Sequence, residues 1–483
     1  MGSPSFDNTY TQLPPLFYAE TVPDPSPSPK LVRLNEELAL ELGLDVDWLR
    51  SEEGLAMFAG TAVPEGAASV AMAYAGHQFG GYSPRLGDGR AYLLGEVVAG
   101  DTRFDIHMKG SGPTAFSRRG DGKATLSSVL REFIVSEAMH KLGVPTSRAL
   151  AATTTGERIR RETAAAGAVF ARVAQSHVRV GTFQFARVNG EDDAVKALAD
   201  YVIARHYPSA ANETNPYRAL LLHVIGRQAE LVARWMSLGF IHGVMNTDNV
   251  QVAGETIDYG PCAFVDVFHP QKVFSSIDQH GRYAWGNQPA IAQWNLTRFA
   301  ETLLSVLGSS QEEAIAWAEE ALNGFRGRFT EAFMARFRDK LGLGVSEDSD
   351  ALINDTLTLL GEEEVDFTLF FRELSRAAAG DDVALERLNA LVGNTERLDV
   401  WMKRWRELAD PDAATTMKRS NPAFIPRNHR VEEALAAAND GDFEPFELLM
   451  KVLARPFDEQ PEHAEFERAP AAEEVVTATF CGT

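Results

Sequence analysis

The chain has 483 residues, 45% of them hydrophobic and 24% charged, enough for a sizeable core and for more than one structural unit. Its 46 Lys and Arg against 68 Asp and Glu give a formal net charge of −22, which repels a nucleic-acid backbone and an anionic membrane surface and excludes both as main partners. Residues Met1 to Pro14 show no basic stretch followed by an apolar one, no run approaches the ~18 apolar residues of a bilayer span, and the cysteines are Cys262 and Cys481 alone, so a soluble, cytoplasmic, monomeric protein without a disulfide framework is expected.

In chain order, residues 1–75 read as an arm packed on the main body, rich in Pro and Ser between Pro23 and Pro29 and helical from Leu34 to Leu42. Alternating runs Tyr92 to Val98 and Phe104 to Met108 flank Gly100-Asp101 and predict a hairpin. A helix follows, with Leu126, Val129, Leu130, Phe133, Ile134 and Ala138 at the 3.6 period, Thr125 or Ser127 as cap, and Gly143 and Pro145 as stops. Val169 to Val173 reads as a further strand, leading to Arg172 and Arg179. From Pro216 to Leu238 the pattern is a long apolar-faced helix, and Phe240 to Asn249 is a polar loop. A second hairpin is expected next, with Val250 to Val252 and Thr256 to Ile257 about the turn Ala253-Gly254. Beyond Trp294 the chain reads as helical, for example over Glu312 to Leu322 and Leu385 to Leu391.

Strands, helix and strand, then a mostly helical half with a polar loop, is the order of a protein kinase. The expected fold is therefore α+β, a protein-kinase-like bilobal fold with an N-terminal arm (1–75), an N-lobe (76–185), a C-lobe with catalytic loop and metal site (186–300), and a helical C-terminal extension (301–483).

The residues that carry chemistry fit that order. Phosphoryl or nucleotidyl transfer needs cations on the phosphates, carboxylates on the cations and a group that orients the nucleophile. Lys109 ends a strand on whose opposite face lie Phe104, Ile106 and Met108, and Glu132, one helix later, is its natural ionic partner. In the loop, His242 precedes Asn249 by seven positions, the spacing of a kinase catalytic loop. Where a kinase has its base, two residues after the His, stands Val244, which cannot accept a proton; Asp248 stands beside Asn249 instead. Asp258-Tyr259-Gly260 then answers the Asp-Phe-Gly that holds magnesium. Gly87-Asp88-Gly89-Arg90, Gly110-Ser111-Gly112 and Gly120-Asp121-Gly122 can bring backbone amides to phosphates, and Arg172 and Arg179 add two planar cations.

The runs Phe6-Asp7-Asn8-Thr9-Tyr10, Gly76-His77-Gln78-Phe79-Gly80, Arg85 to Arg90, Lys109 to Gly112, Gly239 to Asn249 and Ile257 to Pro261 resemble those of the selenoprotein O family across essentially the whole chain. So do Asn421-Pro422, Arg427-Asn428, Arg455-Pro456-Phe457 and a Cys third from the end. The resemblance implies a protein AMPylase that binds ATP inverted, with its α-phosphate toward a Ser, Thr or Tyr hydroxyl of a protein substrate. On that resemblance Lys109 binds phosphate and pairs with Glu132, and Arg172 and Arg179 hold the inner phosphates. Gly87, Gly89, Arg90, Asp121 and Gly122 line the nucleotide, Asn249 and Asp258 hold Mg2+ or Mn2+, with Asp258 also at the nucleotide, and Asp248 is the base. Cys481 falls where some members carry selenocysteine, and Cys262 is its implied redox partner; the tail departs from the family in Gly482-Thr483, and no Cys lies between Val273 and Asp278. A conventional kinase, disfavoured by Val244, and a non-catalytic nucleotide-binding scaffold are the alternatives.

Overall fold

The β-forming runs of the N-terminal half all find antiparallel partners. The computed structural model describes residues 2–161 and 163–480. In chain order the strands are β1 (Tyr18–Glu20), β2 (Lys30–Leu34), β3 (Val70–Met72), β4 (Gly76–Gln78), β5 (Gly81–Ser83), β6 (Ala91–Ala99), β7 (Thr102–Lys109), β8 (Ala124–Thr125), β9 (Arg148–Arg160) and β10 (Ala164–Ala174). Among the described residues, eight of them form one sheet in the order β1-β3-β6-β7-β10-β9-β2, with β8 paired to β10, and β4 and β5 form a hairpin of their own. The β6–β7 hairpin closes about Gly100 and Asp101, with Ala99 opposite Thr102, as the alternation predicts.

Residues 1–75 contribute β1, β2 and β3 to this sheet, β1 and β2 as its outer strands. The Phe6 to Tyr10 run is fixed by Glu96 of β6. This wholly buried carboxylate accepts from Thr9 N (2.9 Å), Thr9 Oγ1 (2.6 Å) and Tyr10 N (2.6 Å), which stabilises an otherwise expensive buried charge.

The helix Leu126–Lys141 starts where Thr125 Oγ1 accepts from Ser128 N at 3.2 Å and ends before Gly143, which has φ +79°. Its apolar side, with Leu130 and Phe133, packs on Val431, Leu435, Phe446 and Leu449 of the helices Asn428–Asn439 and Glu444–Leu453. Its polar side holds Arg131 and Glu132, both buried, toward the site. Arg131 donates to the carbonyls of Gly260 (Nε, 3.0 Å) and Cys262 (Nη2, 2.7 Å), tying the helix to the segment that carries Asp258.

The expected hairpin over Val250 to Ile257 does not form. Gln251 bridges Arg179 and Thr256 bridges Thr146, so the two arms pair outward. Val180 N donates to Val250 O and Val252 N to Val178 O, while Thr256 N reaches Pro145 O and Ser147 N reaches Thr256 O. With those groups satisfied by neighbouring segments, mutual pairing offers nothing further. Only the turn survives, as Gly254 N to Gln251 O at 3.1 Å.

The second half is helical, from Pro216–Ser237 through Gln288–Leu307 and Gln311–Leu341 to Glu444–Leu453. The chain thus combines an antiparallel sheet with a helical half. Among the described residues no helix is long and apolar enough to cross a membrane.

Candidate active site

A cavity of about 520 Å³ runs between the sheet and the helical half. Lys109, at the end of β7, enters it with its Nζ 2.5 Å from Glu132 Oε2 and 3.5 Å from Asp258 Oδ1. Arg172 of β10 is 1% exposed and forks between Glu132 Oε1 (3.0 Å) and Asp258 Oδ1 (2.6 Å) through Nη1. Arg179 reaches Asp258 Oδ2 (2.9 Å) and the backbone oxygen of Asp248 (2.6 Å), and its guanidinium lies 4.6 Å from the centre of the Tyr74 ring. Three cations therefore meet one carboxylate. Burial by itself would push the Asp258 carboxyl up, but Arg172, Arg179 and Lys109 together hold it well below the usual carboxylate range. Asp258 has φ +63°, an uncommon conformation for a residue other than Gly, and it aims both oxygens at this cluster.

The loop side is organised differently. The backbone of β4 and of the residue after it grips the loop: His77 N donates to Thr247 Oγ1 (2.6 Å) and Phe79 N to Asn246 Oδ1 (3.0 Å). Gln78 Nε2 donates to Asp248 Oδ2 at 3.3 Å, whereas the buried Asp248 Oδ1 has no hydrogen-bond partner among the described residues. Burial pushes the Asp248 carboxyl up to about 6, against the pull of Arg179 and of the Gln78 amide. Asn249 donates Nδ2 to Val244 O (2.9 Å), and Val244 lines the cavity.

Asn249 and Asp258 are both oxygen donors, and with the Asn249 amide hydrogen spent on Val244 its Oδ1 keeps its lone pairs. That donor set suits Mg2+ or Mn2+ shared with phosphate oxygens rather than a cage built of protein alone, and among the described residues no group of three or more His, Cys, Asp or Glu is placed to hold a metal ion.

Of the residues singled out in the sequence, Gly89, Arg90, Lys109, Glu132, Arg172, Arg179, Asp248, Asn249 and Asp258 line this one cavity. Gly87, Asp121 and Gly122 are not among its lining residues. Gly87 sits against the ring of Phe116, Asp121 is held by Arg161 at 2.7 and 3.0 Å, and Gly122 lies under the carbonyl of Gly112. Cys262 is buried beside the Asp258 segment; Cys481 lies outside the described residues, and so does its pairing with Cys262.

Sequence reasoning missed the supports. Gly76 and Gln78 frame Asp248, and Asp88 and His107 stand behind the arginines. The signal for the first pair was the run Gly76 to Gly80, which is glycine-rich without a phosphate-loop spacing; for His107 it was the polar face of β7, where Asp105, His107 and Lys109 alternate with the apolar face.

Comparison with known proteins identifies the family. The family model described as "Protein adenylyltransferase SelO" matches residues 3–454. A protein nucleotidyltransferase YdiU of Methylorubrum extorquens is 56% identical over 491 residues, covering 99% of both chains. Proteins of the same name from Rhodopseudomonas palustris and Bradyrhizobium diazoefficiens are 55% and 54% identical over 487 residues, again covering 99% of each chain. Matched from end to end by such relatives and by the family model over most of its length, this chain belongs to the SelO family of protein adenylyltransferases.

Proposed function

We propose that this chain transfers AMP from ATP to the hydroxyl groups of Ser, Thr or Tyr in protein substrates, releasing pyrophosphate. The observation that carries the reading is the separation of charge within one cavity. Lys109, Arg172 and Arg179 converge on Asp258, while Asp248, with its raised pKa and unpartnered Oδ1, stands on the loop beyond them.

A nucleotide whose most charged end lies on the three cations presents its α-phosphate toward Asp248, the inverted orientation. The acceptor oxygen then bonds to the α-phosphorus, the α–β bridging bond breaks, and pyrophosphate leaves onto Lys109, Arg172 and Arg179. Asp248 takes the hydroxyl proton on its carboxylate. Asn249 and Asp258 would hold Mg2+ or Mn2+, which when bound supplies charge neutralisation at the phosphates. Glu132 keeps Lys109 extended toward them. Val244 favours this reading over a conventional kinase, since its side chain offers no base where one would be required. The fold reading that accompanies it is kinase-like and bilobal, with lobes over 76–185 and 186–300, the arm 1–75 and the extension 301–483.

The test is incubation with α-labelled and, separately, γ-labelled ATP, scoring label on this protein and on added protein acceptors. Label from the α position alone is expected. Label from the γ position would identify a kinase, and label from neither a scaffold.

A further inference from the structure

Beside the two arginines lies a buried pair, Asp88 on the cavity wall and His107 behind it, whose side chains the transfer step described above does not use. His107, fully buried on β7, places Nε2 2.9 Å from Asp88 Oδ2 and Nδ1 3.3 Å from Arg172 Nη2. A carboxylate oxygen and a guanidinium cannot both face donors or both face acceptors. His107 must therefore carry its hydrogen on Nε2, donate it to Asp88, and accept from Arg172 at Nδ1. Burial lowers the His107 pKa, in keeping with this neutral form. The ring is held in place by the imidazole of His177, stacked at 4.2 Å.

Asp88 is 3% exposed and is itself fixed by Met72 N, 3.0 Å from Oδ2, and its Oδ1 lies 3.9 Å from Arg179 Nη2. One carboxylate thus reaches both arginines, Arg179 directly and Arg172 through the imidazole. From the other side Asp258 and Glu132 hold the same cations. If a ligand drew Arg172 and Arg179 away from Asp258, Asp88 and His107 would still fix their backs.

We propose that Asp88 and His107 form a positioning unit that aims Arg172 and Arg179 at the β- and γ-phosphates of ATP and so gives the site its preference for a nucleoside triphosphate over a monophosphate. The inference rests on the phosphate-gripping role of the two arginines put forward above.

The test compares the Kd of ATP and of AMP, with magnesium present, for the full-length wild type and three variants. His107→Phe fills the volume but offers no acceptor. His107→Asn keeps an oxygen near the place of Nδ1. Asp88→Asn is isosteric, and either orientation of its amide turns an N–H toward His107 or Arg179. The wild type is expected to prefer ATP. His107→Phe and Asp88→Asn should lose on the order of tenfold or more of that preference, the scale of a hydrogen bond to a charged group, through weaker ATP binding with AMP binding unchanged. His107→Asn should retain most of it. A general loosening of the fold would weaken both ligands alike, and that result, or an undiminished preference in both His107→Phe and Asp88→Asn, overturns the proposal. Should one of these two variants not fold, the other decides. If the wild type transfers α-label while the variants keep their preference, the positioning unit alone is wrong. A wild type that does not prefer ATP removes the phosphate grip and this inference with it.

Discussion

Gly76 and Asp248 lie so close that a Cβ on the glycine would stand 2.6 Å from Asp248 Oδ1 and 3.1 Å from Asp248 Cβ. Only a residue without a side chain lets β4 pass over the proposed base. Gly76→Ala is therefore expected to displace the Asp248 carboxylate and lower transfer by ~10²-fold or more, the scale of a misplaced catalytic group. Melting temperature and ATP affinity should change little. Unimpaired labelling from α-labelled ATP in a folded Gly76→Ala would show that Asp248 is not the base.

The Asp248 carboxyl must be ionised to take a proton, and burial pushes its pKa up to about 6. Below that value the protonated form dominates, so kcat/KM should fall about tenfold for each pH unit under ~6 and level off above it. Asp248→Asn should abolish transfer and, with it, this acid limb. A profile flat to pH 5 in the wild type would exclude Asp248 as the titrating group.

Asp258→Ala removes the carboxylate shared by Lys109, Arg172 and Arg179. Transfer should drop by ~10²-fold or more while the circular dichroism spectrum stays that of the wild type. Retained nucleotide transfer would count against the site as assigned.

Legibility in the sequence followed the physics of each segment. The β6–β7 hairpin and the Leu126–Lys141 helix were readable because their apolar residues recur at the strand and helix periods, although burial extends beyond those faces, to seven consecutive residues of β6 and to Arg131 and Glu132 of the helix. β9 left no such trace: its Ala149, Ala151 and Ala152 and its run of threonines are small, and burial there comes from neighbours rather than from the strand's own hydrophobicity. The Val250 to Ile257 arms alternate like a hairpin, but alternation names a strand and not its partner. At the site, Lys109, Asn249 and Asp258 were legible from spacing. Asp88 and His107 were not, because what makes them matter is a contact between the loop before β6 and strand β7 that sequence distance conceals.

A carboxyl outside the site supplies a pH test of stability. Burial pushes Glu255 up to about 8 from an ordinary 4.5, while Oε2 accepts from Gln175 N at 3.0 Å. Between those values the unfolded chain has released a proton that the folded one still holds, so this group's contribution becomes less favourable as pH rises from about 4.5 to about 8. Glu255→Gln keeps an acceptor for Gln175 and removes the titration. It should leave stability near the wild-type value at pH 5 and exceed it by a few kcal/mol at pH 8, as read by urea unfolding. An equal difference at both pH values would mean that Glu255 does not titrate in this range.

Arg131, through the carbonyls of Gly260 and Cys262, makes one mechanical piece of the helix bearing Glu132 and the segment bearing Asp258. Swinging that helix outward, the way many phosphoryl-transfer enzymes are switched off, would here break both hydrogen bonds and leave the buried carbonyl of Cys262 without its donor. Glu132 and Asp258 therefore move together or not at all, and any displacement of one side of the cation cluster carries the other with it.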